Sequence, residues 1–336
     1  MSVAPDPNSR GPLDLRPAQR VNFTTVRGFV APTDHGWYQF FLARPDVEEV
    51  NFWRPGGTGF HALRPGEPFF FKLKAPHDGI GGFGLFARFA QLPVWRAWEV
   101  FGQENGVPDE RAFRERLVRL TGNHAVREMM RDDQDRPIGC VSIAQPIFFP
   151  PDEWVPVPAD WKRNIVSGRT YDLSAGHGAR LWRECLERAE LRSVDWVLES
   201  LEGARTGKPH LVAPRLGQGA FRIAVLDAYG GACAVTTEHS LPVLEAAHIR
   251  PWGMGGGHVV SNGIPLRRDL HRLFDLGYVT VRPDHRLAVS GALREDYENG
   301  RAYYALEDRK ILLPKDPEDR PSAELLEWHA STVFRG

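Results

Sequence analysis

The chain has 336 residues, of which 42% are hydrophobic and 25% charged, and its formal net charge is −1. That length favours two cores over one, and the near-zero charge excludes bulk attraction to nucleic acid, so any such contact must rest on local clusters of Arg and Lys. Three widely spaced cysteines (Cys140, Cys185, Cys233) argue against a disulfide scaffold and a four-cysteine zinc site. With no apolar signal core at its start and no long apolar run, the chain is expected to be cytoplasmic and not bound to a membrane.

Residues 1–20 are rich in Pro, Arg and Asp and predict a flexible arm. From 21 to 173 the reading is mainly β. VRGFVA, HGWYQFFL, EEVNFW and PFFFKLK are rich in β-branched and aromatic residues and are separated by Pro/Gly turns. PVWRAWEVFG and DERAFRERLVRL have helical spacing, and IGCVSIAQPIFF returns to strand. This pattern predicts an α+β chain whose N-terminal domain is a small β-barrel decorated with helices. Leu and Trp at helical spacing over residues 176–201 predict one or two helices, followed by a linker at GARTGKPHLVAP. Residues 174–213 therefore read as a helical connector to a C-terminal domain over 214–336.

The stretch from 233 to 281 carries the chemistry. LEAAHI reads as a strand ending in His248, and a Gly-rich loop crosses to Asn262, where NGIPL opens a second strand. RRDLHRLFD then forms a helix with His271 and Asp275 four residues apart on one face. A neutral imidazole suits a base that activates water near neutral pH. A His and a carboxylate one turn apart suit a divalent ion, which phosphodiester hydrolysis uses to stabilise developing charge. An Asn amide donates and accepts at once, so it can brace a loop.

In order and spacing, His248, Asn262 and His271, within LEAAHI, NGIPL and LHRLFD, resemble the HNH family with its ββα-metal fold. The resemblance implies that His248 is the general base and that Asn262 is the loop-bracing Asn, a metal ligand in some relatives. It makes His271 a metal ligand and Asp275 a second helix ligand. Many relatives carry Asp, Glu or His immediately before the base, where this chain has Ala247, so the ligand set is thinner, with Glu245 a weak substitute. Paired CxxC motifs for a structural zinc are absent, which leaves Cys233 as a core residue. His239 and His258 read as ordinary histidines.

Upstream, PRLGQGAFR places Arg215, Gln218 and Arg222 at helical spacing. They are either a DNA-contacting face, as in the R-x-GQ-x-x-FR lead-in of some HNH restriction enzymes, or a solvated one. Arg250, Arg267, Arg268 and Arg272 surround the catalytic residues and are candidates for phosphate contact. After Val281 the chain reads as support, with Tyr303, Tyr304, Leu306 and ILLP in packing roles.

Aromatics gather in the N-terminal half, and EEVNFWRPGGTGFHALRPGEPFFFKLKAPHDGIGGFGLF resembles the PUA superfamily in its EVE or ASCH branch. That resemblance implies a domain that holds a flipped or modified base in an aromatic pocket. The candidates are Trp37, Asn51, Trp53 and Arg54, although buried Trp is usually core and Asn51 equally suits a turn cap. A PUA-like reader joined to an HNH cutter resembles the modification-dependent restriction endonucleases. It implies double-stranded DNA with 5-methyl- or 5-hydroxymethylcytosine as substrate, Mg²⁺ or Mn²⁺ as cofactor, no structural zinc, and a homodimer to cut both strands. The alternatives are an HNH nuclease indifferent to base modification and a modified-DNA binding protein with a decayed nuclease; RNA recognition is a weaker one.

Overall fold

The computed structural model describes residues 26–54, 59–121, 137–190 and 216–336. The expected arm at 1–20, Arg215, most of the RPGGTG loop and the linker lie outside them. In chain order the N-terminal domain contains β1 (Arg27–Thr33), α1 (His35–Leu42), β2 (Glu49–Arg54), β3 (Pro68–Leu73), β4 (Gly79–Pro93), α2 (Val94–Phe101), α3 (Glu110–Thr121), β5 (Pro137–Phe148), β6 (Val155–Pro156), β7 (Arg169–Asp172) and α4 (Gly176–Glu190).

Its strands form one seven-stranded sheet in the order β2-β5-β4-β3-β1-β7, with β6 also on β4. Among its described strands only the β1–β3 pairing is parallel. The expected barrel is not what the described residues show. β2 and β7 end the order, and no pairing closes them on each other. The period-2 alternation of β3 sorts its three phenylalanines, because successive side chains leave a strand on opposite faces. Phe69 and Phe71 join a core with Trp37, Phe41 and Val141. Phe70 joins another with Phe83, Leu181, Trp182 and Cys185. The last three belong to α4, so the first half of the expected connector is a core helix of the N-terminal domain.

HGWYQFFL, expected as a strand, is helix α1. The Asp34 side chain caps it by accepting from the Trp37 amide at 3.0 Å, which satisfies one of the free N–H groups of the first turn. Trp37, Tyr38 and Phe41 then fall on one buried face. Aromatic β-propensity concealed a helical spacing with a good cap.

The C-terminal domain contains α5 (Gln218–Ala228), β8 (Leu244–His248), β9 (Gly263–Arg267), α6 (Arg268–Asp275), β10 (Val279–Val281), β11 (Leu287–Val289), α7 (Ala292–Tyr297), α8 (Arg301–Tyr304) and α9 (Ala323–Thr332). Cys233, Leu244, Ala247, Ile264, Leu270, Phe274 and Leu326 share its core, with Tyr303 and Leu306 packed on the edge. His329 of α9 is buried, stacked on Phe274 at 3.7 Å and 2.8 Å from the Thr280 hydroxyl. Burial lowers its pKa to about 4.

Helix α5 joins the two halves. Its Ile223 enters a core with Trp53, Val94 and Phe101 of the N-terminal domain, while Leu226 enters the C-terminal core. Its N-terminus meets a carboxylate from β2, Glu49, which accepts from the Gly219 and Ala220 amides at 2.8 and 2.9 Å and from the Ser142 hydroxyl. A buried carboxylate is stabilised there by free N–H groups and the positive end of the helix. Burial nevertheless raises its pKa to about 7, against the hydrogen bonds from Ser142, Ala220 and Gly219. No described helix is long and apolar enough to cross a membrane.

Candidate active site

β8 and β9 pair antiparallel with His248 opposite Gly263, and α6 follows β9 directly. The hairpin lies on α5 because position 263 carries no side chain: a Cβ there would stand 2.4 Å from Val225 Cγ2 and 2.8 Å from Phe221 Cζ. This close approach seats the His248 ring on Phe221, centroids 4.0 Å apart and nearly parallel.

The loop between the strands is held by Asn262, which is fully buried. Its Oδ1 accepts from the Arg250 amide at 2.9 Å, and its Nδ2 donates to the carbonyls of Arg250 and Gly257 at 3.0 and 2.8 Å. One amide thus ties the chain just after His248 to the far side of the loop. Gly256 makes room for this brace, since a Cβ there would fall 1.8 Å from the Arg250 carbonyl oxygen and 2.9 Å from Asn262 Nδ2.

His248 Nε2 is buried and has no hydrogen-bond partner among the described residues. Burial lowers the pKa of this imidazole to about 4, and His258 and His271 add to the shift. The ring is therefore neutral at neutral pH and able to accept a proton. His258, read from sequence as an ordinary histidine, stands beside it at 5.1 Å between centroids, with its Nδ1 2.8 Å from the Leu216 carbonyl. Its place on a loop ten residues after His248 left no periodic signal by which to find it.

On α6, His271 Nε2 lies 3.4 Å from Asp275 Oδ2 and its Nδ1 lies 2.7 Å from Glu245 Oε2. Burial raises the Asp275 pKa, while His271 and Arg272 pull it down. Ala247 is enclosed in the core, so Glu245 supplies the carboxylate nearest the helix. Among the described residues no three His, Cys, Asp or Glu side chains form a ready-made metal cage. The donors still suit a divalent ion: one imidazole and one carboxylate a turn apart, with a second carboxylate on the imidazole, leave positions for water.

His248, His258, His271 and Asp275 line a cleft of about 830 Å³ between the domains. Asp46, Glu48, Glu49 and Glu104 line it from the N-terminal side, and exposed Gln218 lies on its wall.

The expected phosphate contacts fare unevenly. Arg222 is partly buried and donates to the Glu99 carbonyl at 3.0 Å, and burial lowers its pKa. Its helix face serves the domain seam. Arg267 pairs with Asp269 and Arg268 with Glu99 and Glu245. Arg250 donates to the Met254 carbonyl at 2.6 Å and lies 5.3 Å from the Trp328 ring. Arg272 is exposed on α6.

The expected base pocket is not assembled. Trp37 packs among Phe41, Phe52 and Phe71. Asn51 donates to Asn105 Oδ1 at 2.9 Å, and Trp53 Nε1 donates to the Asn105 carbonyl at 3.0 Å. All three are buried, each with under a tenth of its surface exposed, and pack in the core, as hydrophobic burial favours, although Trp37 Nε1 and Asn51 Oδ1 find no hydrogen-bond partner among the described residues. Arg54 alone reaches the surface, its guanidinium 5.7 Å from the Phe60 ring.

Residues 233–282 match the HNH endonuclease family, and the ββα unit just described falls within them. The chain is also similar to the solved ASCH protein of Zymomonas mobilis, at 10% identity over 46% of this chain and 92% of that one, with a TM-score of 0.29. A mutant form of that protein aligns at 11% identity over 50% of this chain and 97% of that one, with a TM-score of 0.29. No curated protein matches the chain.

Proposed function

We propose that this protein is a divalent-metal-dependent endonuclease that cuts double-stranded DNA from the cleft between its domains. The observation that carries the reading is the family match at 233–282 together with its geometry: a neutral imidazole at His248 on the cleft wall, an Asn262 brace and a His271–Asp275 pair, all on one ββα unit. In this reading the His248 imidazole takes the proton of the attacking water. Asn262 keeps the turn after His248 in register, and the stack on Phe221 fixes the ring plane. His271 and Asp275 hold the ion, Mg²⁺ or Mn²⁺, which when bound stabilises the charge developing on the phosphate and leaving oxygen. Arg250 and Arg272 are the arginines best placed to meet phosphate. Cutting both strands needs two such sites, hence a homodimer or a transient pair on DNA.

The N-terminal domain is proposed as the element that selects the DNA, with modified cytosine as its target. Its aromatic content and its resemblance to PUA-type readers support this. The burial of Trp37, Asn51 and Trp53 favours a second reading, in which the nuclease is indifferent to base modification.

The test is cleavage of matched duplexes bearing cytosine, 5-methylcytosine or 5-hydroxymethylcytosine, in Mg²⁺ and in Mn²⁺. Removal of the base should cost about 10²–10⁴-fold in rate, so His248→Ala should be close to inactive. Cleavage confined to modified DNA supports both halves of the proposal. Equal cleavage of all three selects the second reading. Binding without cleavage under every condition defeats the nuclease.

A further inference from the structure

Glu99 lies on α2 of the N-terminal domain, yet it reaches the metal-holding helix of the other. Its side chain is gripped from below by Arg96, which is fully buried and donates to Glu99 Oε2 at 2.6 Å and to the Leu244 carbonyl at the start of β8 at 3.3 Å. The remaining Glu99 oxygen accepts from Arg268 at the start of α6. The same guanidinium donates through Nε to Glu245 Oε1 at 3.0 Å, and the other Glu245 oxygen holds His271 Nδ1. One Arg thus bridges two carboxylates, one from each domain, and the second of these orients the proposed metal ligand.

From this chain we infer that Glu99 and Glu245 are positioning residues for His271, and that the docked N-terminal domain sets the metal affinity of the nuclease through Arg268. The inference rests on the nuclease reading above and extends it. A carboxylate on one imidazole nitrogen fixes the tautomer and leaves the other nitrogen as ligand, and losing such a partner typically costs 10–100-fold in metal affinity. Glu245 holds that role directly. Arg268 is more than half exposed, so without Glu99 its guanidinium has one anchor instead of two, and Glu245 inherits the looseness. A domain shift that parts Glu99 from Arg268 would then reach the ligand without touching it.

Mn²⁺ binding to the full chain, followed by calorimetry and by the electron paramagnetic resonance signal of the free ion, tests this without relying on cleavage. Glu245→Gln should weaken binding by about tenfold or more. Glu99→Gln should weaken it by several-fold, Arg268→Gln by at least as much because it also removes the direct bond to Glu245, and the double variant should be no weaker than Arg268→Gln alone, because the two act in series. Arg268→Lys, a surface change that spares the fold, should shift affinity in the same direction. Asp227→Asn breaks another contact across the seam, the ion pair with Arg88, and should leave affinity at the wild-type value. Wild-type affinity in Glu99→Gln overturns the inference, as does equal weakening in Asp227→Asn, which would mean that any loosening of the seam suffices. A wild-type chain that binds no Mn²⁺ defeats the nuclease reading itself.

Discussion

His248 and Asn262 sit fourteen residues apart and are tuned by opposite means. His248 is kept neutral by burial, with its pKa lowered to about 4, so its base form persists as pH falls and is lost only as pH drops through that value. An ordinary imidazole would protonate near 6.5. Cleavage should therefore stay level from pH 7.5 down to about 5.5, with its acid limb below that. A limb centred near 6.5 would mean that burial does not hold the pKa of the base down. Asn262 works by matching donors to acceptors, and Asn262→Asp tests this because the shape is kept. The carboxylate retains the bond from the Arg250 amide but turns an oxygen towards the carbonyls of Arg250 and Gly257. Lost donors to buried carbonyls cost about 1–3 kcal/mol, so the melting temperature should fall and cleavage with it; unchanged stability would mean the loop does not depend on the brace. These residues were legible in the sequence because motif order reports them. His258 was not, and neither was the core role of Trp53, since an aromatic residue in a strand looks the same whether it meets a ligand or Asn105.

At the scale of elements, the hairpin and α6 were legible in LEAAHI and NGIPL as strands, the Gly-rich loop between them and the four-residue step from His271 to Asp275. The misreading of α1 had a local cause: its aromatic residues favour strands, whereas the Asp34 cap that decides for helix is a single side-chain contact. The seating of α5 was beyond sequence for a different reason, as its cap comes from 170 residues away on β2. Glu49→Ala should leave the Gly219 and Ala220 amides buried without acceptors. At about 1–3 kcal/mol for each orphaned group, the loss in urea unfolding should be several kcal/mol, larger than for a surface Glu. Glu49→Gln keeps one carbonyl acceptor and should lose less. Equal losses for both would mean that the interaction is one of packing.

Across the whole molecule, the two domains meet along contacts that no window of sequence could show: Glu99 with Arg268, Arg88 with Asp227, Arg96 with the Leu244 carbonyl. Their meeting creates the cleft, and the cleft has an electrostatic problem. Asp46 and Glu48 are exposed on its N-terminal wall, which Glu49 and Glu104 also line, while Arg267 and Arg268 of the C-terminal domain are already paired with carboxylates. A DNA backbone entering this space meets like charge, and the chain offers no net positive charge to offset it. Neutralising the rim with Asp46→Asn and Glu48→Gln should therefore strengthen DNA binding by several-fold at about 50 mM salt, where exposed charges interact over more than 10 Å, and by much less at about 300 mM. Fluorescence anisotropy with a labelled duplex reads both. The stability of the protein should not change, because both side chains are solvated. If affinity is the same with and without the two carboxylates at low salt, DNA does not pass this wall. The backbone would then reach His248 from the side of α6 and exposed Arg272, with the domains remaining as they are docked here.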